Sequence, residues 1–229
     1  MNFSSMMRRI GITAVTFVAT VTATLTLAPP EAAAAPERHP ILFVHGWQGA
    51  AWNWASMVSR FEDAGYSSAE LRTFSYDTSL SNKVIAQEVK AEADALRAAT
   101  GARKIDIISH SMGGVNSRWY LKFLDGARYV DDWVSIGGPN HGTGVAYACF
   151  DDSCEDMRPG SSLLTELNRG DETPGSVNYG TWWSPCDEII NPDESVILSG
   201  AANTRTGCIG HVFLLAAGSV FTEVRDFVA

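Results

Sequence analysis

The sequence predicts an α/β fold in which a mostly parallel central sheet is covered by helices on both faces, and three observations carry that reading. Strand-like and helix-like segments alternate from Ile41 to Ser184. The strand-like segments include continuous apolar runs, as expected for strands buried on both faces. The helix-like segments place their apolar residues on single stripes, so each has one face to bury against a sheet. Repeated alternation of this kind builds parallel sheets with right-handed helical crossovers.

Ile41-Leu42-Phe43-Val44 is the first apolar run, and it ends in His45-Gly46. From Ala51 to Ala64, Trp54, Met57, Val58 and Phe61 recur at helical spacing. Ala69 to Tyr76 alternates as a strand does, and a second helix carries Ile85, Val89, Ala93 and Leu96 on one stripe. Lys104 to Ser109 supplies a strand with Ile105, Ile107 and Ile108, followed by a helix over Met112 to Leu124 and a strand over Trp133 to Ile136. From Gly137 to Ser176 the pattern dissolves into Gly, Asp, Ser and Pro, with a short helix at Leu163 to Asn168, a length that suits an active-site loop or cover. Val177 to Ser184 reads as the last or penultimate strand, and Val220, Phe221, Val224, Phe227 and Val228 close the chain at helical spacing.

The chain has 229 residues, 45% of them hydrophobic, enough for one good core. Its beginning reads differently from the rest. Arg8 and Arg9 precede an apolar run from Ile10 to Leu27, then Pro29, Pro30 and the alanines Ala32 to Ala35. That is the order of a secretory signal, with Ala33-Ala34-Ala35 as the cleavage site; an uncleaved anchor is the alternative, weakened by the threonines in the run. The paired arginines match a twin-arginine signal only weakly. Residues 1–35 are thus expected to be a signal peptide and residues 36–229 one domain, secreted to the exterior. Cleavage would take Arg8, Arg9 and Glu31 with it and move the formal net charge from −9 to −10. Such a charge excludes nucleic acid as a natural partner, and nothing cationic and amphipathic follows to hold anionic membranes.

The chemistry concentrates at Ile105-Asp106-Ile107-Ile108-Ser109-His110-Ser111-Met112-Gly113-Gly114, a strand, a tight turn and a helix start. A serine hydroxyl is a weak nucleophile until it is presented sharply, relieved of its proton by a base, and set beside donors for the developing oxyanion. Small residues two before and two after Ser111 permit the strained elbow that presents it. They are Ser109, where glycine is usual, and Gly113; the hydroxymethyl group of Ser109 should tighten packing beneath the elbow and remove no reacting atom. Hydrolases built on this elbow keep the chain order serine, acid, histidine. Of the histidines, His39 precedes the fold, His45 belongs to the strand-end loop, and the ring of His110 is expected to point away from its neighbour Ser111. His141 precedes any strand-end carboxylate. His211 remains as the base. Asp187, just after the strand ending at Trp183-Ser184, is the expected acid, with Glu188, Asp193 and Glu194 as rivals; its role is to hold the imidazole tautomer. The backbone N–H of Met112, at a helix start, is one oxyanion donor. The other should come from the loop His45-Gly46-Trp47-Gln48-Gly49.

Four cysteines, Cys149, Cys154, Cys186 and Cys208, follow the elbow. In an exported chain they read as disulfides, with three pairings open; Cys149 with Cys154 and Cys186 with Cys208 is favoured because the first pair shares one short loop. No metal-ligand spacing accompanies them, so no metal site is expected.

Val44-His45-Gly46-Trp47, Ser109-His110-Ser111-Met112-Gly113-Gly114, Gly137-Gly138-Pro139-Asn140-His141-Gly142 and Trp182-Trp183-Ser184-Pro185-Cys186-Asp187 together resemble the small secreted class 2 lipases of bacteria, relatives of the minimal α/β-hydrolase lipases. The resemblance implies a minimal α/β-hydrolase fold; a triacylglycerol lipase or carboxylesterase without cofactor; Ser111, Asp187 and His211 as the triad; and Trp47 and Met112 as oxyanion donors. The chain departs from it at Ser109 and in the cysteine-bearing segment after His141. A lipid or small ester substrate, transient contact with a lipid interface and a monomeric state follow as expectations. A polyester hydrolase, another acyl hydrolase or an acyltransferase would use the same triad, and a non-catalytic cell-envelope protein on this scaffold is the alternative outside enzymes.

Overall fold

A computed structural model describes Met1 and residues 38–229. The signal-peptide reading of residues 1–35 therefore falls, apart from Met1, outside the described residues. Six strands form one parallel sheet: β1 (Ile41–Val44), β2 (Leu71–Thr73), β3 (Ile105–His110), β4 (Val130–Ile136), β5 (Asn178–Trp183) and β6 (Ala202–Arg205), in the spatial order β2-β1-β3-β4-β5-β6. Every neighbouring pair is parallel. The helices are α1 (Ala55–Asp63), α2 (Asn82–Thr100), α3 (Met112–Phe123), α4 (Asp152–Met157), α5 (Ser162–Leu167) and α6 (Gly218–Phe227).

The period of two along a strand divides the core into two layers. Leu42 and Val44 of β1 join Ile85 and Val89 of α2, Val115 of α3 and Ile107 on one side of the sheet. Ile41 and Phe43, one residue out of step, face Met57 and Phe61 of α1, Ile108, and Val220 and Val224 of α6 on the other. All four β1 side chains are fully buried, which is why that strand reads as an unbroken apolar run. Helix α2 begins where the Ser81 hydroxyl accepts from the Lys83 amide and ends at Gly101, whose φ of 71° only glycine adopts without strain.

Four stretches differ from the sequence reading. The alternating run from Ala69 to Tyr76 yields only the three paired residues of β2. Ala51–Trp54 forms a 3-10 turn before α1 begins. β6 is the last strand and lacks an apolar signal because it lies at the sheet edge, where Ala202, Asn203 and Arg205 are exposed. The stretch from Gly137 to Ser176 holds more than the one short helix expected: besides α5 it contains a 3-10 turn at Gly144–Ala148 and α4, which includes Cys154.

Candidate active site

The carboxyl ends of parallel strands open on one edge of the sheet, and open α/β sheets place their sites there. Ser111 follows β3, Gly137 follows β4, Asp187 follows β5, and His211 follows β6 at the start of a 3-10 turn. Ser111 occupies φ 55°, ψ −131°, a region costly to any residue with a side chain, between the last strand residue and the first turn of α3. Two glycines make that conformation affordable. A Cβ on Gly113 would lie 2.3 Å from the Val44 carbonyl oxygen, and one on Gly46 would lie 2.6 Å from the Ser111 Cβ, so β1, its loop and the elbow approach as closely as they do only because both are glycine. Ser109 is fully buried and its hydroxyl donates to the Val134 carbonyl at 2.6 Å, so the extra polar atom at the usual glycine position is satisfied across the β3–β4 pair.

His211 and Asp187 meet in the interior. His211 Nδ1 lies 2.7 Å from Asp187 Oδ2, with both side chains at most 5% exposed. The other carboxylate oxygen accepts from the amides of Ile189 and Ile190, each at 2.9 Å. Burial pushes the Asp187 carboxyl up, but the hydrogen bond and charge of His211 together with those two amides outweigh it, so the group sits below its ordinary value of 3.8 and stays ionised. A carboxylate at Nδ1 fixes the proton there and leaves Nε2 free to accept. Nε2 is buried and bonds to no other group among the described residues. Gly137, at φ 58°, leaves the room: a Cβ there would stand 3.2 Å from His211 Cε1 and 3.3 Å from Asp187 Oδ2.

A disulfide and a buried serine tie the loops that carry Asp187 and His211. Cys186 is bonded to Cys208; the second disulfide, Cys149 to Cys154, closes a separate small ring in the segment after β4. Beside the first bond, the buried Ser184 hydroxyl accepts from the amides of Cys186 and Ile209 and donates to the Gly207 carbonyl, joining the loop before Asp187 to the loop before His211. Sequence reading passed over Ser184 because a lone serine after a strand carries no signal of its own.

His110 does not point away. Its ring lies 4.6 Å from that of His211, its Nε2 is 3.2 Å from the His211 carbonyl oxygen, and it lines the same cavity as Ser111. Strand alternation is the reason: His110 shares a sheet face with Ile108, and on that face the chain returns from β6 into α6. Burial, then repulsion from His211, lowers its pKa to about 3, so it is neutral at ordinary pH.

The remaining candidates are elsewhere. His39 faces Asp131 at 3.4 Å, and His141 lies between Glu172 at 2.8 Å and the Ser195 carbonyl. His45 stacks on Tyr76 with ring centroids 4.0 Å apart. Among the acid rivals, Glu188 accepts from the backbone amide of His211 at 3.1 Å rather than from its ring; Asp193 and Glu194 open a 3-10 turn and make no hydrogen bond to His211 among the described contacts.

One cavity of about 410 Å³ joins Ser111, His211 and the β1 loop. Its walls include Trp47, Ala146, Met157, Ile189 and Ile190, a mostly apolar lining that also holds Asn53 and Thr143. The backbone N–H groups of Trp47 and Met112 have no hydrogen-bond acceptor among the described residues. Among those residues no cluster suited to holding a metal ion is present.

The comparisons with known proteins fit this geometry. The lipase (class 2) family profile matches residues 38–205. The phospholipase A(1) LCAT3 of Arabidopsis thaliana is 31% identical over 107 residues, which cover 44% of this chain and 23% of that protein. The chain thus spans about a quarter of the length of that curated relative. Among solved structures, the mature lipase of Bacillus licheniformis superposes with a TM-score of 0.76 at 18% identity, covering 88% of this chain and 96% of its own. Lipase B of Aspergillus fumigatus gives 0.66 at 19% identity, over 78% of this chain and 49% of that one. Phospholipase PlaB of Legionella pneumophila also gives 0.66, at 12% identity, over 84% and 59%. At these identities the superpositions speak for the fold, a mostly parallel α/β-hydrolase sheet. The family profile, spanning the described residues from before β1 to the end of β6, decides the rest: the chain belongs to the class 2 lipases, a family of ester hydrolases.

Proposed function

We propose that the chain is exported and, as a monomer, hydrolyses carboxylic esters of lipids through Ser111, His211 and Asp187, by way of an acyl-enzyme. The observation that carries this reading is the two-sided environment of His211: Asp187 on Nδ1, and a buried Nε2 without a hydrogen-bond partner among the described residues, on a residue that lines one cavity with Ser111. His211 takes the Ser111 hydroxyl proton as Oγ attacks the ester carbonyl; the amides of Trp47 and Met112 hold the oxyanion, and the imidazolium returns its proton to the departing alcohol. Water, deprotonated by the same nitrogen, then releases the acid.

The cavity favours a neutral substrate. Its lining is mostly apolar and contains no lysine or arginine, and the chain's formal charge is −9. Relatives carrying phospholipase names raise a glycerophospholipid as the alternative, but an anionic headgroup finds no cation on these walls. Around the mouth, Val145 and Val212 line the cavity and are 39% and 60% exposed; Phe150 and Phe213, beside Cys149 and Val212 in the chain, are 85% and 67% exposed. Exposed apolar side chains beside a substrate cleft suit contact with a lipid surface. Export is supported by the leader-like composition before Pro36 and by two disulfides, which persist in oxidising compartments. No described helix is long and apolar enough to cross a membrane.

The test is a series of p-nitrophenyl esters of rising chain length, triglyceride emulsions and anionic phospholipid vesicles, given to wild type and Ser111→Ala, with fluorophosphonate labelling mapped by mass spectrometry. Turnover of neutral esters and labelling at Ser111 are expected, both lost in the variant. Labelling elsewhere, or undiminished turnover by Ser111→Ala, would overturn the mechanism; faster hydrolysis of the phospholipid would overturn the substrate class.

A further inference from the structure

The loop after β1 has a difficult task if the Trp47 amide is an oxyanion donor. A donor works within about 2.7–3.1 Å of the developing charge, and a misplacement of about 1 Å can cost on the order of a hundredfold in rate. Yet this loop is short and glycine-bearing, with Gly46 and Gly49 closing a turn through an N–H to carbonyl bond of 3.0 Å and Gln48 held at φ 53°. Something outside the loop has to fix its peptide planes.

That anchor comes from about a hundred residues downstream. The Trp47 indole Nε1–H donates to Asp151 Oδ2 at 2.9 Å. Asp151 stands inside the small ring closed by Cys149 and Cys154. The ring is itself held: the Arg158 guanidinium donates to the Cys149 carbonyl at 3.0 Å, and the Ser153 hydroxyl to the Thr78 carbonyl at 2.6 Å. Thr78 completes a second route, because its hydroxyl accepts from the amide of Gln48, the residue after Trp47, at 3.2 Å. The loop is therefore gripped at two consecutive residues, at Trp47 by Asp151 of the ring and at Gln48 by Thr78, which the ring holds through Ser153, so the residue that bears the donor N–H is fixed together with the one after it.

We propose that Asp151 is a positioning residue for hydrolysis: by holding the Trp47 indole it aims the Trp47 backbone N–H at the oxyanion, and the Cys149–Cys154 bond keeps Asp151 in place to do so. The inference rests on the reading above that Trp47 supplies an oxyanion donor. Asp151 touches neither substrate nor reacting atoms; its effect passes through the indole. It assigns a purpose to the cysteine-bearing segment beyond covering the site.

The experiment compares steady-state kinetics on a soluble p-nitrophenyl ester for wild type, Asp151→Ala, Asp151→Asn, Trp47→Phe and the Asp151→Ala/Trp47→Phe pair, with Ser111→Ala as control. It also measures the affinity of each for a trifluoromethyl ketone, whose tetrahedral adduct on the nucleophile bears the oxyanion. Asp151→Ala and Trp47→Phe should each lower kcat about tenfold with KM nearly unchanged, and should weaken the ketone by the same factor. The pair should lose no more than either alone, because both remove one hydrogen bond. Asp151→Asn, whose amide oxygen still accepts the indole N–H, should recover most of the loss. The Cys149→Ser/Cys154→Ser variant should lose kcat in the same direction, with no further loss in the Asp151→Ala background. An Asp151→Ala enzyme with normal kcat, losses that multiply in the pair, or a loss confined to melting temperature would overturn the proposal while a dead Ser111→Ala kept the mechanism standing. An active Ser111→Ala would bring down both.

Discussion

The bond between Cys186 and Cys208 closes a loop with a sequence separation of 22, and the loop contains Asp187 and ends three residues before His211. Replacing both cysteines by serine releases that closure in the unfolded chain. The chain-entropy relation gives a loss of about 3 kcal/mol for this loop, against about 2 kcal/mol for the Cys149–Cys154 ring with its separation of 5. In a chain of this size about 1 kcal/mol moves the melting temperature by roughly 2–4 °C, so the Cys186→Ser/Cys208→Ser variant should melt roughly 6–12 °C lower. Activity well below that transition should fall only a few-fold, because the Ser184 hydroxyl still ties the Cys186 and Ile209 amides together. Thermal and urea unfolding followed by circular dichroism, with kcat measured at low temperature, reads both quantities. A variant melting within about 1 °C of wild type would refute the argument, as would a larger loss from the Cys149–Cys154 ring than from this one, since loop length then fails to set the order.

Three further outcomes follow from the site and the sheet. Asp187→Asn should lower kcat by about 10⁴-fold with little change in stability, because an amide facing Nδ1 no longer holds the tautomer that leaves Nε2 free; near-normal turnover on a soluble ester would move the acid elsewhere, and Glu188 is already engaged with the His211 backbone. Gly137→Ala should lower kcat by at least about tenfold, since a methyl group there meets His211 Cε1 and Asp187 Oδ2 and the φ of 58° disfavours any side chain; wild-type kinetics would show that the acid and base have slack. Far from the site, Asp106 is fully buried, and burial followed by the charge of Asp132 raises its carboxyl well above 3.8. The folded chain then holds a proton that the unfolded chain releases, so stability is highest below pH 3.8 for this group and declines as pH rises toward the raised value. The melting temperature of Asp106→Asn relative to wild type should therefore climb between pH 4 and pH 8, and a difference that stays flat across that range would refute the assignment.

Much of the candidate site was legible before folding because its signals are local. The elbow at Ser111 needs a buried run, small neighbours and a helix start, all within ten residues, and each of those is a short-range constraint on the backbone. His211 and Asp187 were reached through chain order and strand ends. The orientation of His110 is not legible from its neighbour Ser111, because the alternation of the strand it ends turns its ring toward His211. The edge strand β6 escaped because half-solvated residues carry no apolar pattern to read.

The amino-acid order by itself determined the class of fold, the candidate nucleophile Ser111 and the even set of cysteines, since these follow from periodicity, turn sterics and redox chemistry along the chain. Tertiary structure alone decided which groups surround the candidate site: Ser184 across two loops, Asp151 on the Trp47 indole, and the absent side chain of Gly137 beside the imidazole. Those are contacts between segments about 20 to 100 residues apart. They depend on strand order and loop register, which the packing of the whole sheet sets and no single stretch of sequence encodes.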